Sequence, residues 1–147
     1  TMGLVLSRPT DELVGGHLPM WADTVAPPDV IFIGGPVMTD VAIGLGAGPA
    51  VPPEEWKAVV GDVGLVDVAF SPDHWGGLST ARIFAGYSGW IPGQLAAELA
   101  IESWVVCDAA PGDATDPNPD TLWQRVLARQ SGTTAWLATF PWDVSTN

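Results

Sequence analysis

The chain has 147 residues, 47% of them hydrophobic and only 15% charged, and its 17 acidic and 5 basic residues give a formal net charge of −12. This length and apolar content predict a single folded domain over residues 1–147 with a sizeable core, and they argue against intrinsic disorder. Because affinity for nucleic acids depends on Lys and Arg at the phosphates, so acidic a chain without a basic run is a poor candidate for direct DNA binding.

The cysteine content and the hydropathy pattern limit the compartment. Cys107 is the single cysteine, so it forms no intramolecular disulfide, and its apolar neighbours predict a buried thiol in a strand rather than a nucleophile. No uninterrupted apolar run reaches the roughly 18 residues of a membrane span, and no signal-peptide pattern is present. We therefore expect a soluble protein of the cytoplasm that does not bind membranes.

Short apolar runs bounded by glycine or proline predict the strands. In chain order, these runs cover residues 3–7, 30–33, 42–45, 65–70, 81–85, 103–107 and 135–140. Asp67 interrupts the fourth run and indicates one solvated face. The strands outnumber the helices and do not alternate with them regularly, so we expect an α+β domain built on a mostly antiparallel sheet.

Three stretches have helical patterns. They cover residues 54–60, about 92–100 and 119–129. The first begins after a proline pair with two glutamates, which suit the positive end of the helix dipole. The third is the clearest, because Asn118 can cap it, Pro119 suits its first position, and apolar residues then recur at helical spacing.

The segment from Arg82 to Leu99 has the most distinctive sequence, with Gly86-Tyr87-Ser88-Gly89 between a predicted strand and a predicted helix. A serine at such a turn is reminiscent of a nucleophile elbow, but that elbow needs glycine two residues after the serine, where this chain has Trp90. Serine hydrolysis is therefore disfavoured. Gly34-Gly35-Pro36 follows a strand but lacks the lysine and further glycines of a phosphate-binding loop, which favours a tight structural turn.

Four residues of this segment are candidates for a binding site: Arg82, Tyr87, Gln94 and Glu98. Gln94 and Glu98 lie four residues apart and share a helical face, and Arg82 could meet them across the turn beside Tyr87. One interpretation is a buried network that fixes the turn, which we favour because buried polar groups need partners. The other interpretation is a ligand site. The two histidines and the cysteine lack metal-ligand spacing, so we expect no metal site and no cofactor.

The pattern Gly86-Tyr87-x-Gly89-Trp90-x-Pro92-Gly93-Gln94-Leu95-x-x-Glu98-Leu99, preceded by Arg82-x-Phe84, resembles the signature of the bacterial YqgE/AlgH family. Further matching stretches, in the same order, are residues 3–10, 34–37, 104, 122–123 and 140–147. The resemblance implies an α+β fold whose bifurcated sheet curls into a pseudo-barrel with a few short helices, and it carries no catalytic residues.

Two departures from the family pattern matter. Ser7 stands where the family usually has asparagine, which casts doubt on any role assigned to that asparagine. Family members generally begin further upstream, so we expect this chain to lack their N-terminal strand segment. A missing strand could leave an unpaired sheet edge, which invites pairing with another chain.

Three functions follow as hypotheses. The leading one is a cytoplasmic protein with a regulatory, transcription-related or protein-interaction role and no catalysis, which binds an unknown protein partner or forms a homo-oligomer. The alternative is a small-ligand binder or an enzyme that uses Arg82, Tyr87, Gln94 and Glu98. The third, a DNA-binding transcriptional regulator, is disfavoured by the net charge of −12.

Overall fold

The computed structural model describes residues 1–49, 51–110 and 112–140. These residues form seven strands: β1 (Met2–Gly3), β2 (Pro9–Leu13), β3 (Val30–Ile33), β4 (Val37–Ala47), β5 (Lys57–Val60), β6 (Val63–Val66) and β7 (Thr80–Gly89). They also form four α-helices: α1 (Val14–His17), α2 (Gln94–Ala100), α3 (Leu122–Ala128) and α4 (Thr133–Leu137). Short 3-10 helices cover Pro19–Trp21, Pro72–Trp75, Asp113–Thr115 and Pro119–Thr121.

The strands form one mixed sheet around β7, in the order β2-β3-β7-β4-β6-β5. All the pairings are antiparallel except that of β3 with β7. β3 pairs with β7 at Phe84 and Ala85, whereas β1 pairs with it at Ser88 and Gly89, so the sheet forks along β7. The sheet is curled, but within the described residues its end strands β2 and β5 do not pair, so it is not closed into a barrel. The predicted α+β class with a mostly antiparallel sheet is confirmed.

The side chains of β7 supply both layers of the core, because successive residues of a strand point to opposite faces. Ile83 packs with Trp21 and Trp75 on one face. Phe84 packs with Phe32 on the other, and the two rings meet edge to face with centroids 5.9 Å apart. Burial on both faces explains why β7 is almost continuously apolar in sequence.

The glycine pair that follows β3 lies directly against the backbone of β7. A Cβ atom on Gly35 would stand 2.2 Å from the carbonyl carbon of Tyr87, and one on Gly34 would stand 2.2 Å from the carbonyl oxygen of Gly86. Real Cβ atoms do not approach backbone so closely, so only glycine fits at either position. The predicted structural role of this turn is confirmed.

The predicted helix over residues 54–60 is wrong, because Lys57–Val60 is strand β5. β5 forms a hairpin with β6 through the two residues Gly61 and Asp62, and Gly61 has a φ of +56°. A positive φ at the first position of a two-residue loop is typical of a β-hairpin turn. The hairpin therefore prevails over the helix-start pattern of the preceding prolines and glutamates.

Two predicted strands near the C-terminus are also wrong. Residues 103–107 pair with no strand among the described residues, and Val105 and Val106 are exposed there. Residues 133–137 form α4, which packs on α3. Short apolar runs do not by themselves distinguish strand from helix, and here tertiary packing decides. Residues 141–147, which belong to the last stretch that resembles the family signature, lie outside the described residues.

Of the other predicted strands, 3–7 is wrong beyond Gly3, the last residue of β1, and 65–70 agrees only at its first two residues, which end β6. The remaining predictions differ from the structure mainly in their bounds. The strand predicted over 30–33 and the helix predicted over 119–129 are confirmed, the latter as a 3-10 turn that continues into α3. β4 begins at Val37 rather than at residue 42, and β7 continues to Gly89 rather than ending at residue 85. Gly86, with a φ of +69°, lets the chain bend within β7 without ending the strand.

Candidate functional site

Arg82 is the buried charged residue of the described core and points from β7 into the layer of Phe32 and Phe84. Its Nη1 donates to the carbonyl oxygen of Asp116 at 2.9 Å, and its Nη2 donates to that of Pro27 at 2.8 Å. The guanidinium carbon lies 4.2 Å from the centre of the Phe32 ring, which places the cation over the ring face. Arg82 thus attaches two loops to the central strand.

Among the described residues, Arg82 forms no direct ion pair with a carboxylate. Burial lowers the pKa of Arg82 to about 10, and the negative charge of Asp116 offsets part of that effect. Its Nε atom has no hydrogen-bond partner among the described residues. Asp116 in turn forms an ion pair with Arg125 at 2.5 Å, so the loop that Arg82 holds is also fixed to α3.

Glu98 lies near the other end of the same segment, on α2, among three N–H donors. Its Oε2 accepts from the indole nitrogens of Trp104 at 2.8 Å and Trp90 at 3.1 Å, and its Oε1 accepts from Gln94 Nε2 at 3.0 Å. The two indole rings meet edge to face, with centroids 5.8 Å apart. We call Trp90, Gln94, Glu98 and Trp104 the Glu98 cluster.

The Glu98 cluster stabilises the ionised carboxylate. The bond from Trp104 above all, followed by the bonds from Trp90 and Gln94, holds the pKa of Glu98 below its ordinary value. A carboxylate that already accepts three N–H bonds is a weak base and has little capacity for a further ligand. Because Trp90 precedes α2 and Trp104 follows it, the cluster connects α2 to the chain on both sides.

The predicted meeting of Arg82 with Gln94 and Glu98 does not occur in the described contacts. The pair Gln94 and Glu98 is confirmed, but Arg82 bonds elsewhere because β7 continues for seven residues beyond it, to Gly89. An extended strand rises about 3.3 Å per residue, so Gly89 at the end of β7 lies on the order of 20 Å along the strand from Arg82. A turn directly after residue 85 would have brought Arg82 together with Gln94 and Glu98.

Tyr87 lies between these two ends and is half buried. Its hydroxyl lies 3.7 Å from the sulfur of Met38. The sequence did not identify Trp90 and Trp104 as partners of Glu98, although Trp90 belongs to the same motif. Ligand binding by Arg82, Tyr87, Gln94 and Glu98 stays a prediction.

An apolar groove runs along α3, away from the Glu98 cluster. It consists of two cavities of about 530 and about 630 Å³. Both are lined by Leu6, Cys107, Leu122 and Val126, so the two are adjacent. We call this feature the α3 groove. Its walls come from the N-terminal segment, the β5–β6 hairpin, the chain after residue 104, and α3.

One end of the α3 groove is acidic. Asp62, Asp108 and Asp113 line the first cavity, whereas the described residues that line the second include no charged one. Asp113 forms an ion pair with Arg129, which also donates to the carbonyl oxygen of Asp108. Burial alone would raise the pKa of Asp113, but the bonds from Arg129 and from the Ala110 amide outweigh it and keep that pKa below its ordinary value.

Cys107 lies at the junction of the two cavities and is half buried. The prediction that it belongs to a strand is wrong, since residues 101–110 contain no strand. Its position makes it a natural reporter of whatever enters the α3 groove.

The histidines belong to separate exposed pairs. His74 Nε2 lies 2.7 Å from Glu55 Oε1, and His17 Nε2 lies 3.1 Å from Glu12 Oε2. A backbone hydrogen bond and the bond from His74 hold the pKa of Glu55 below its ordinary value. Within the described ranges, no group of three or more histidine, cysteine or acidic side chains is arranged to hold a metal ion. No helix in those ranges is both long and apolar enough to cross a membrane.

A family model described as AlgH-like matches residues 1–135. This range includes the segment from Arg82 to Glu98 and the residues that line the α3 groove as far as the end of α3. This chain belongs to the AlgH-like family. The resemblance to the YqgE/AlgH family is thereby confirmed.

The AlgH-like chain has close relatives among actinobacterial proteins. It is 44% identical over 153 residues to the UPF0301 protein SCO2948 of Streptomyces coelicolor, in a match that covers 100% of this chain and 79% of that protein. A UPF0301 protein of Mycobacterium ulcerans is 42% identical, with 100% and 76% covered. These relatives are therefore longer than this AlgH-like chain.

Solved structures share the AlgH-like fold. Protein DIP2367 from Corynebacterium diphtheriae superposes with a TM-score of 0.85 at 29% identity, over 95% of this chain and 75% of that one. The AlgH protein from Pseudomonas aeruginosa superposes with a TM-score of 0.63 at 27% identity, over 97% and 79%.

Proposed function

We propose that this AlgH-like chain is a non-catalytic regulatory protein that acts by binding another protein through the α3 groove. The observation that carries this proposal is a contrast between two regions. In the Arg82–Leu99 segment, Arg82, Gln94 and Glu98 form hydrogen bonds within the chain, whereas apolar side chains line two cavities in the α3 groove that a partner could fill.

The size and lining of the groove support a protein partner. Folded monomers rarely leave a large contiguous apolar surface open, and such surfaces mark binding sites. Two adjacent cavities of about 530 and 630 Å³ together offer room for several side chains of a partner segment. Val105, which lines the second cavity, is exposed, and so is Trp136 on α4.

The charge of the chain supports an indirect route for any role in transcription. A net charge of −12 repels DNA, so a regulator of this composition would act on a protein rather than on an operator. We place the protein in the cytoplasm, as a single domain, on the same grounds of composition.

The proposal is tested by affinity capture from a lysate of the source cells with three baits. The wild-type chain is compared with Val126→Trp, which fills the groove at a residue that lines both cavities, and with Glu98→Gln, which leaves the groove intact. Far-UV circular dichroism and thermal unfolding establish that both variants are folded.

We expect a protein that is enriched on the wild-type and Glu98→Gln baits and lost on Val126→Trp. Equal capture by all three baits would contradict the proposal, because the bound protein would then use another surface. Loss on Glu98→Gln alone would instead favour a site at the Glu98 cluster.

A further inference from the structure

The two ends of the α3 groove differ in chemistry. The residues found only in the second cavity are almost entirely apolar, and include Val105, Trp123, Leu127, Leu137 and Phe140. The first cavity adds three aspartates to an otherwise apolar lining. The two cavities therefore differ in chemistry: the one beside α4 is apolar, and the one that the β5–β6 hairpin helps to line carries carboxylates.

The aspartates of the acidic end are not equivalent. Asp113 has Arg129 as its ion-pair partner. Among the described residues, neither Asp62 nor Asp108 forms an ion pair, and both are exposed. Among the described residues, Asp62 thus stands beside an apolar cavity without an ion-pair partner, and Asp108 shares with Asp113 the positive charge of Arg129, whose pKa both carboxylates help to raise.

An occupant of the groove would displace water from Asp62 and Asp108. Removing water from an unpaired charge is costly unless an opposite charge takes its place. An entirely apolar segment would incur that cost at the acidic end, and an acidic segment would add repulsion. A Lys or Arg at that end would pair with Asp62 or Asp108 instead.

We infer that the partner of the α3 groove is a polypeptide segment with apolar side chains at one end and Lys or Arg at the other. This inference rests on the proposed function and adds the chemistry and the orientation of the partner. The apolar part lies beside Leu127 and Leu137, and the basic part lies beside Asp62 and Asp108.

The test uses two short fluorescein-labelled peptides with the same Leu- and Ala-rich part, one ending in several Lys and the other in several Glu. Fluorescence anisotropy measures their affinity for the wild-type chain, for the double variant Asp62→Asn/Asp108→Asn and for Val126→Trp. The matched control is Asp11→Asn/Asp40→Asn, which removes two exposed carboxylates that lie outside the groove.

We expect the Lys peptide to bind the wild-type chain and the Asp11/Asp40 control equally. Neutralising Asp62 and Asp108 should weaken it about tenfold at low salt, and by less at high salt, where the charges are screened. The Glu peptide and the Val126→Trp variant should show little binding. The alkylation rate of Cys107 should fall when the Lys peptide is bound.

Three results would overturn the inference. The first is a lack of charge dependence, seen either as equal affinity for the Lys and Glu peptides or as an equal loss of affinity for the Lys peptide in the two double variants. The second is a dimer in solution whose Cys107 is already protected from alkylation, which would assign the groove to a second copy of this chain. The third is tight binding of a peptide from the part of the Streptomyces coelicolor relative outside the match, unaffected by Asp62→Asn/Asp108→Asn.

The capture experiment separates this inference from the proposed function. A captured protein that depends on Val126 but not on Asp62 and Asp108 would uphold the groove as the binding surface and refute the basic partner segment. A captured protein that depends on neither would refute both.

Discussion

The two ends of the Arg82–Leu99 segment hold their charges in opposite ways. Arg82 is 1% exposed, and its partners are two backbone carbonyls and an aromatic ring. Glu98 lies at the surface and is surrounded by side-chain N–H donors. In the described contacts both charged side chains bond within the chain, at the two ends of the segment that looks most like a binding motif in sequence.

Burial decides how much each end contributes to stability. Removing a hydrogen bond in a dry interior lowers the stability of the fold more than removing one at the surface, because water replaces the lost partner at the surface. The loops held by Arg82 should therefore depend on it strongly, and α2 should depend on Glu98 only weakly. The predictions below test this difference, beginning with the backbone between the two ends.

Gly35→Ala should have the largest effect, because its Cβ would meet the β7 backbone at Tyr87 rather than a side chain that can move. We expect a loss of about 3 kcal/mol or more in the free energy of unfolding, at the upper end of overpacking effects. Urea denaturation measures it. Gly16→Ala is the control, since a Cβ there meets nothing within 4 Å. Equal stability of the two variants would show that β3 and β7 do not approach as described.

Arg82→Met should be the next most destabilising change. It removes the buried guanidinium that donates to the carbonyls of Asp116 and Pro27 and lies over the Phe32 ring, and we expect a loss of about 2–4 kcal/mol. The control is Arg8→Met, at an exposed arginine with no described side-chain partner, where the change should stay within about 0.5 kcal/mol. A loss no larger at Arg82 than at Arg8 would contradict the structural role of the buried arginine.

Glu98→Gln should have the smallest effect, and one that depends on pH. The bonds from Trp104, Trp90 and Gln94 keep the pKa of Glu98 below its ordinary value, so its contribution is present above that value and disappears as the pH falls through the lowered pKa. The wild-type chain should be slightly more stable than the variant at neutral pH and equal to it in strong acid. Urea midpoints of the two proteins at several pH values measure this difference in stability. A difference that grows as the pH falls would contradict the prediction.

Local features of the sequence predicted local structure well. Gln94 and Glu98 bond as their four-residue spacing indicates, and Pro119 begins a helical region that continues into α3, although Asn118 forms no side-chain cap bond with it. These outcomes depend only on neighbours in the chain. The strand over Val30–Ile33 was equally clear, because a continuous β-branched run between prolines and glycines has few alternatives.

Features that depend on distant partners were not predictable in the same way. The separation of Arg82 from Glu98 depends on where β7 ends, and β7 continues past Gly86 because β1 and β4 pair with its second half. Lys57–Val60 is a strand because β6 pairs with it. The α3 groove has walls from four separated segments, and no single stretch of sequence carries its pattern.

The most direct test of the groove as the binding surface is the alkylation rate of Cys107, measured in the free chain and in the complex with the captured partner. Cys107 lines both cavities, and it is the single thiol of the chain, so the rate reports on the groove alone. We predict that alkylation becomes markedly slower in the complex. An unchanged rate in a complex of confirmed stoichiometry would contradict the central claim that the partner occupies the α3 groove.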